Sequence, residues 1–283
     1  MAVVSVLLGL IMAGRVLRPV RVITATAREI SAGNLHERID INGPNDEFKE
    51  LGETLDDLLG RLEASFESQR RFVASASHEL RTPLAVERTL LQVALADPAI
   101  TMATLRATCE RVLASGRRTE QLIESLLTLA SSESGLEYHS AVDLSAIAAA
   151  VIASTAAAID IQTSLDFAPA TGDPHLIESL VTNLLSNAIR HNTAGGWVSV
   201  STGVRARSAF LAVSNSGPRV PAEALQRLFQ PFQRLDGQRT RQSGHGLGLA
   251  IVRAIATAHG AVIDTRPRPG GGLDIEVRFT ARL

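Results

Sequence analysis

His78 stands in the run Ser77-His78-Glu79-Leu80-Arg81-Thr82-Pro83-Leu84, the segment with the clearest potential for chemistry. On a helix, at about 100° per residue, His78 lies roughly 200° from Ala76 and Leu80 and about 120–140° from Val73 and Leu84. It therefore faces solvent, away from the apolar stripe. An exposed imidazole titrates near neutral pH and becomes a nucleophile when a neighbouring base takes its ring proton. Glu79 is placed to hold one ring nitrogen and leave the other free to attack, and Thr82 lies one turn along the same face. Pro83, inside an otherwise helical pattern, removes a backbone donor and predicts a kink at the preceding turn. The bland alternative is a surface histidine among ordinary charges; the eight-residue context tells against it.

A second constellation lies far downstream. Asn183, Asn187, Arg190 and His191 recur at three-to-four spacing opposite an apolar face of Leu180, Leu184 and Ile189. Amide oxygens suit Mg2+, which prefers hard oxygen ligands, although a polar helix face alone is usually just solvated. Gly244-His245-Gly246-Leu247-Gly248-Leu249 then opens a helix. Glycines there let backbone N–H groups approach phosphate oxygens at the helix N-terminus. No βαβ unit with the expected acidic residue surrounds it, and no GxxxxGK[ST] loop occurs, so neither a dinucleotide fold nor a P-loop is indicated.

The elements that must carry these residues follow from periodicity. Val16, Val20, Ile23, Ala27 and Ile30 predict one helix, broken at Gly33-Asn34, and a connector leads to a second helix starting near Asp46-Glu47. That second helix runs on through Val73, Ala76, Leu80, Leu84 and Leu91 to a turn at Asp97-Pro98. Thr101 is the predicted N-cap of a return helix with Leu105, Cys109, Val112, Gly116, Thr119, Ile123, Leu126 and Ala130 on its seam. Cys109 accordingly reads as a small core residue. Two such hairpins make a four-helix bundle, and the two short amphipathic helices before them, unable to bury their stripes alone, need partners that a parallel dimer would supply. Residues 133–142 read as a linker. Beyond it helices are expected at 143–159, 174–191, 221–228 and 248–259, with strands at 161–167, 197–204, 210–215, 261–265 and 273–279. That mixture predicts an α/β sandwich.

Composition closes off other classes. Hydrophobic residues are 45% and charged residues 20% of the 283, which excludes a disordered chain. A net charge of −1 gives no bulk attraction to nucleic acid. Cys109 is the only cysteine, so neither a disulfide framework nor a cysteine-built zinc site can form within the chain. Lys49 is the only lysine, which excludes chemistry needing several. Met1–Gly14 carries no charged side chain and is followed by Arg15, Arg18 and Arg21. As a helix it spans about 21 Å, short of the roughly 30 Å hydrocarbon layer. It reads as the cytoplasmic end of a transmembrane helix whose beginning is missing, with the arginines inside; a buried helix of a soluble protein is the alternative. A signal peptide does not fit, because no basic region precedes the run and no cleavage site follows it.

The segment around His78 resembles the phosphoacceptor box of sensor histidine kinases, and residues 67–132 resemble their dimerisation and phosphotransfer hairpin. Residues 15–66, with Arg18-Pro19 and Asp46-Glu47, look like the HAMP relay module of the same receptors. The amide helix, Asn215-Ser216-Gly217, Phe229-Gln230-Pro231-Phe232 and the GHGLGL turn occur in the order and spacing of the family's catalytic ATP-binding domain, over 143–283. The resemblance implies a Bergerat-type ATP-binding sandwich following a helical hairpin. It implies that His78 accepts a phosphoryl group from ATP, that Glu79 acts as base and that Thr82 helps position water for dephosphorylating the partner. It implies further that Asn187 ligates Mg2+ with Asn183 nearby, and that Arg190 and His191 reach phosphates. Residues 229–245 would form a lid hinged by Phe229 and Phe232, and Gly244, Gly246, Leu247 and Gly248 would line the phosphates. The implied partners are a second copy of the chain, the receiver domain of a response regulator and the inner membrane, with the kinase core in the cytoplasm.

One departure stands out. The family usually reads Asp-x-Gly-x-Gly where this chain has Asn215-Ser216-Gly217-Pro218-Arg219. The aspartate accepts a hydrogen bond from the adenine amino group; an asparagine oxygen can accept the same bond but has lost the charge and gained donors. Weaker or retuned ATP binding is expected. Two competing functions are a non-catalytic signalling scaffold, if Asn215 disables ATP use, and an ATPase of the chaperone or topoisomerase kind, which would lack the histidine-bearing hairpin.

Overall fold

The computed structural model describes residues 47–133, 140–155, 159–233 and 246–280, with the isolated positions 3–4, 24 and 36. The expected membrane segment, the first helix of the HAMP-like region and the stretch 134–139 therefore lie outside the described residues, apart from those positions. No helix among the described residues is long and apolar enough to cross a membrane. The chain divides into two compact units, Met1–Ser75 and Ala76–Leu283.

Helix α1, Glu47–Ala96, is a single 50-residue element that begins where Asp46-Glu47 predicted and passes through Pro83 without ending. The rung that proline cannot supply is flanked by a side-chain bond one residue earlier, where Thr82 Oγ1 donates to the His78 carbonyl oxygen at 3.1 Å. After the turn, where Ala99 N–H donates to Asp97 Oδ1, helix α2 runs Met102–Glu133. Its cap is the predicted one: Thr104 N–H donates to Thr101 Oγ1 at 3.1 Å.

Five of the eight expected seam positions of α2, Leu105, Val112, Gly116, Thr119 and Leu126, are half-buried, and the phase differs from the expected one only toward the C-terminal end. Leu122 and Leu129 are buried, whereas Ile123 is 44% exposed and Cys109 is exposed. The buried positions at this end sit one residue before the expected ones, because the contact that shelters them is with the helix Gly248–Ala258. Cys109, Ile123 and Ala130 are left on an open face, so Cys109 is not a core residue of the single chain.

The α/β half begins inside the expected linker with β1, Ser140–Asp143. Helix α3 (Leu144–Ser154), β2 (Asp160–Leu165), β3 (Pro169–Gly172), helix α4 (Pro174–Arg190), β4 (Trp197–Arg205) and β5 (Ser208–Asn215) follow. A 3-10 turn at Ala222–Ala224 leads into α5 (Leu225–Leu228), then come α6 (Gly248–Ala258), β6 (Val262–Pro267) and β7 (Leu273–Phe279). Strands β1 and β3, four residues each, were not expected; they pair antiparallel beside the main sheet. Helix α3 ends at Ser154, short of the expected 159, where Thr155 takes an extended conformation.

The main sheet has order β2-β4-β5-β7-β6, with β2 and β4 parallel and the other pairs antiparallel. Alternate residues of the central strands face one side: Val198 and Val200, Leu211 and Val213, Ile275 and Val277 are all buried. Against them lie α4, with Leu180 and Leu184 buried, and α3, with Ala148 and Val151 buried, while α6, with Ile251 and Ile255 buried, packs on α4 and β6. This is the α/β sandwich expected, helices on one sheet face. Asp143 caps α3 through Ser145 N–H; burial pushes its carboxyl up, but donation from the Ser145 hydroxyl and from the Ala168 and Ser145 N–H groups outweighs that and holds it below the usual range. Asp173 caps α4, its Oδ1 accepting from His175 N–H at 2.8 Å and Leu176 N–H at 3.2 Å, with Pro174 in the first turn. His259, at the C-terminal end of α6, joins the two helices: its Nε2 accepts from Asp173 N–H at 3.1 Å, which leaves Nδ1–H to bond the Ile255 carbonyl at 2.8 Å.

Candidate nucleotide-binding site

Helix α4 turns its buried leucines to the sheet and so presents Ser179, Thr182, Asn183, Ser186, Asn187 and Arg190 on the opposite side, along one wall of a cavity of about 440 Å³. Asn183 is oriented by its own helix, with Nδ2 donating to the Ser179 carbonyl at 2.9 Å. Its Oδ1 points toward Gly248, where a Cβ would come within 3.2 Å of that oxygen. The amide oxygen of Asn183 and the N-terminus of α6 thus share one corner of the cavity. The Asn187 side chain also lines it and makes no hydrogen bond to any described residue.

The far end is built by strand termini. Asn215, the last residue of β5, is 5% exposed and lines the cavity. Its Nδ2 donates to the carbonyls of Ser216 at 2.8 Å and His191 at 3.4 Å, while its Oδ1 accepts from Leu273 N–H at 3.3 Å. Both donors are used and one oxygen lone pair remains. The neighbouring residues form a clasp: Asn192 Nδ2 donates to the Trp197 carbonyl at 2.9 Å, Ser216 Oγ donates to Asn192 Oδ1 at 2.7 Å and accepts from Trp197 N–H at 2.8 Å. This network ties the C-terminal end of α4 to the starts and ends of β4 and β5. Close backbone packing completes it. A Cβ on Gly217 would lie 2.4 Å from the His191 carbonyl oxygen, and one on Gly272 would lie 1.9 Å from the Asn215 carbonyl oxygen.

The amide lock makes a counterintuitive expectation. Asn215→Asp, the change toward the family's usual residue, replaces Nδ2 by a carboxylate oxygen 2.8 Å from the Ser216 carbonyl. Facing acceptors should cost the α/β half about 1–3 kcal/mol and weaken nucleotide binding. Thermal unfolding and calorimetric titration of the full chain check this; a variant that is both more stable and tighter-binding rejects the lock.

Among the predicted site residues, Asn183, Asn187, Arg190, His191, Asn215, Gly246, Leu247 and Gly248 line the one cavity. Gly217 and Phe229 do not: Gly217 shapes the strand end, and Phe229 is buried at 8% exposure, an anchor in the core. Phe232 does not line it either, but its N–H donates to the Gly246 carbonyl at 2.9 Å, and both residues take left-handed φ values, +62° and +71°. From residue 234 on, the expected lid 229–245, Gly244 included, lies outside the described residues. His78 is exposed on α1, and neither it nor Glu79 or Thr82 lines the cavity. Sequence reasoning missed Gly272, Leu273, Val220 and Leu228, and also Gln121, Glu124, Ser125 and Thr128 of α2. The Gly270-Gly271-Gly272 run is the sequence signal that points to the first of these.

An open cavity lined by an amide-bearing helix and a glycine-opened helix, over a mixed sheet, with an exposed histidine on a preceding helix, is the arrangement expected of an ATPase that serves a phosphoacceptor helix. The family patterns agree. Residues 172–283 match "Histidine kinase-, DNA gyrase B-, and HSP90-like ATPase", residues 68–135 "His Kinase A (phospho-acceptor) domain" and residues 11–64 "HAMP domain". The chain belongs to the two-component sensor histidine kinases, ATP-dependent enzymes that phosphorylate their own histidine and pass the phosphoryl group to a response regulator. It is 44% identical to Sensor protein CutS of Streptomyces coelicolor, over 98% of this chain and 68% of that protein. It is 33% identical to Signal transduction histidine-protein kinase BaeS of Escherichia coli, over 95% of this chain and 59% of that protein. The structure of Acinetobacter baumannii histidine kinase AdeS superposes with a TM-score of 0.56 at 24% identity, over 73% of this chain and 98% of that one, a likeness of fold.

Proposed function

We propose that His78 is the phosphoacceptor and that the cavity beside α4 and α6 holds the ATP. The observation that carries this reading is that one compact unit, residues 76–283, contains both an exposed imidazole and a cavity in which two helix-borne amides meet a glycine-opened helix N-terminus. A ring nitrogen of His78 attacks the γ-phosphorus, the bond to the ADP oxygen breaks as the new N–P bond forms, and Glu79 receives the proton lost from the ring. The phosphoryl group then passes to an aspartate of a receiver domain, and Thr82 orients water when the flow is reversed toward dephosphorylation.

Asn187 is the residue we assign to Mg2+, with Asn183 beside it. The fit rests on the Asn187 amide in the cavity, which bonds no described residue, and on the hard-oxygen preference of the ion. When bound, the ion neutralises charge on the triphosphate. Arg190 and His191 are assigned to phosphate oxygens, the N–H groups of residues 246–248 to the same oxygens, and the remaining lone pair of Asn215 Oδ1 to the adenine amino group. Residues 15–66 act as the relay and 67–132 as the hairpin of a homodimer, and the arginines after residue 14 lie at the cytoplasmic face of a membrane.

Incubation of the full chain with Mg2+ and γ-labelled ATP tests this. Acid-labile, base-stable label is the expected result. Acid-stable label, or none although nucleotide binds, overturns it.

A further inference from the structure

We propose that Glu124 of α2 sets the nucleotide affinity of this protein by placing a carboxylate in the cavity that the triphosphate must enter. The inference rests on the reading that ATP occupies that cavity.

Helix α2 is anchored at this end by Leu122 and Leu129, at 0% and 4% exposure, and is in contact with α6. That seating turns Gln121, Glu124, Ser125 and Thr128, at i, i+3, i+4 and i+7, to the same cavity as Asn183, Asn187 and Gly248. Two of the four are already satisfied, since Ser125 Oγ donates to the Gln121 carbonyl at 2.8 Å and Thr128 Oγ1 to the Glu124 carbonyl at 2.9 Å. Glu124 makes no side-chain hydrogen bond or ion pair with any described residue. It is the only acidic side chain among the described residues lining the cavity, which Arg190 and His191 also line.

A carboxylate and a polyphosphate sharing a cavity repel each other. The seated helix therefore opposes nucleotide binding. By linkage, bound nucleotide opposes the seating of α2 by the same factor. Helix position and nucleotide occupancy thus share one equilibrium, with Glu124 as the coupling group. The bland account is that Glu124 is exposed and fully screened by water; it predicts no effect on binding.

Calorimetric titration of the full chain with Mg·ADP and, separately, with adenosine distinguishes the two. Glu124→Gln should tighten ADP binding about three- to tenfold and leave adenosine binding unchanged, because adenosine lacks the phosphates. Glu120→Gln, on the same helix but outside the cavity lining, should leave both unchanged. Hydrogen exchange of residues 121–129 should quicken when ADP saturates the wild-type chain. Unchanged or weaker ADP binding in Glu124→Gln, or an equal gain for adenosine, overturns the proposal. Absence of any nucleotide binding in wild type and variants overturns the site reading and this proposal with it.

Discussion

Replacing His78 by glutamine should lower autophosphorylation by more than about a thousandfold while leaving ADP affinity within about twofold of wild type. The amide of glutamine is not a nucleophile, so the N–P bond has no atom to form on. Stability should hardly move, because His78 is exposed on an uninterrupted helix and glutamine is a good helix former. The bond between Thr82 and residue 78 goes to the backbone carbonyl, so it survives the change. Loss of label with retained nucleotide affinity separates a missing acceptor from a damaged ATP site, measured by filter-bound label and by titration. Label persisting in the variant would move the acceptor to another residue.

Gly272→Ala should destabilise the catalytic half by more than about 3 kcal/mol and abolish measurable nucleotide binding, the largest effect of any single methyl group added to this half. Two costs combine. The residue sits at φ +89°, which side chains rarely adopt, and the new Cβ would fall 1.9 Å from the Asn215 carbonyl oxygen and 2.8 Å from its carbon. Relief requires moving Asn215 or opening the bond from Gly272 N–H to the Pro218 carbonyl at 3.0 Å, and either distorts the cavity end. Two controls grade the result. Gly260→Ala carries the positive φ of +63° with open space around it and should cost about 1 kcal/mol; Gly270→Ala meets neither constraint and should stay within about 0.5 kcal/mol. Chemical denaturation of the three variants gives the ordering, and a neutral Gly272→Ala would mean that the strand ends do not approach as described.

Much of this architecture was legible beforehand because long amphipathic elements announce themselves. The α4 helix could be read from the Asp173-Pro174 start and the leucine spacing, and β7 from strict alternation between Leu273 and Phe279. The strands β1 and β3 were not legible: four residues carry too little periodicity, and β3 begins with proline and ends with glycine. The phase of α2 was ambiguous for a different reason. Leu122-Ile123, Leu126-Leu127 and Leu129-Ala130 are adjacent apolar pairs, so spacing alone supports either of two faces. Only the packing of α6 decides between them. Within the site, residues on one helix or one glycine turn could be found by spacing, whereas Gly272 meeting Asn215, and α2 meeting the cavity, are approaches between distant segments that no local pattern records.

The open face of the two hairpin helices has a thermodynamic consequence. Leu84, Leu91 and Leu95 of α1 and Leu113, Ile123 and Leu127 of α2 remain between 40% and 84% exposed in the single chain. Whatever covers those side chains removes apolar area from water, and the gain enters by mass action. The melting temperature of the hairpin should then climb with protein concentration, and dilution alone, with no change of ligand or signal, becomes a way to loosen it.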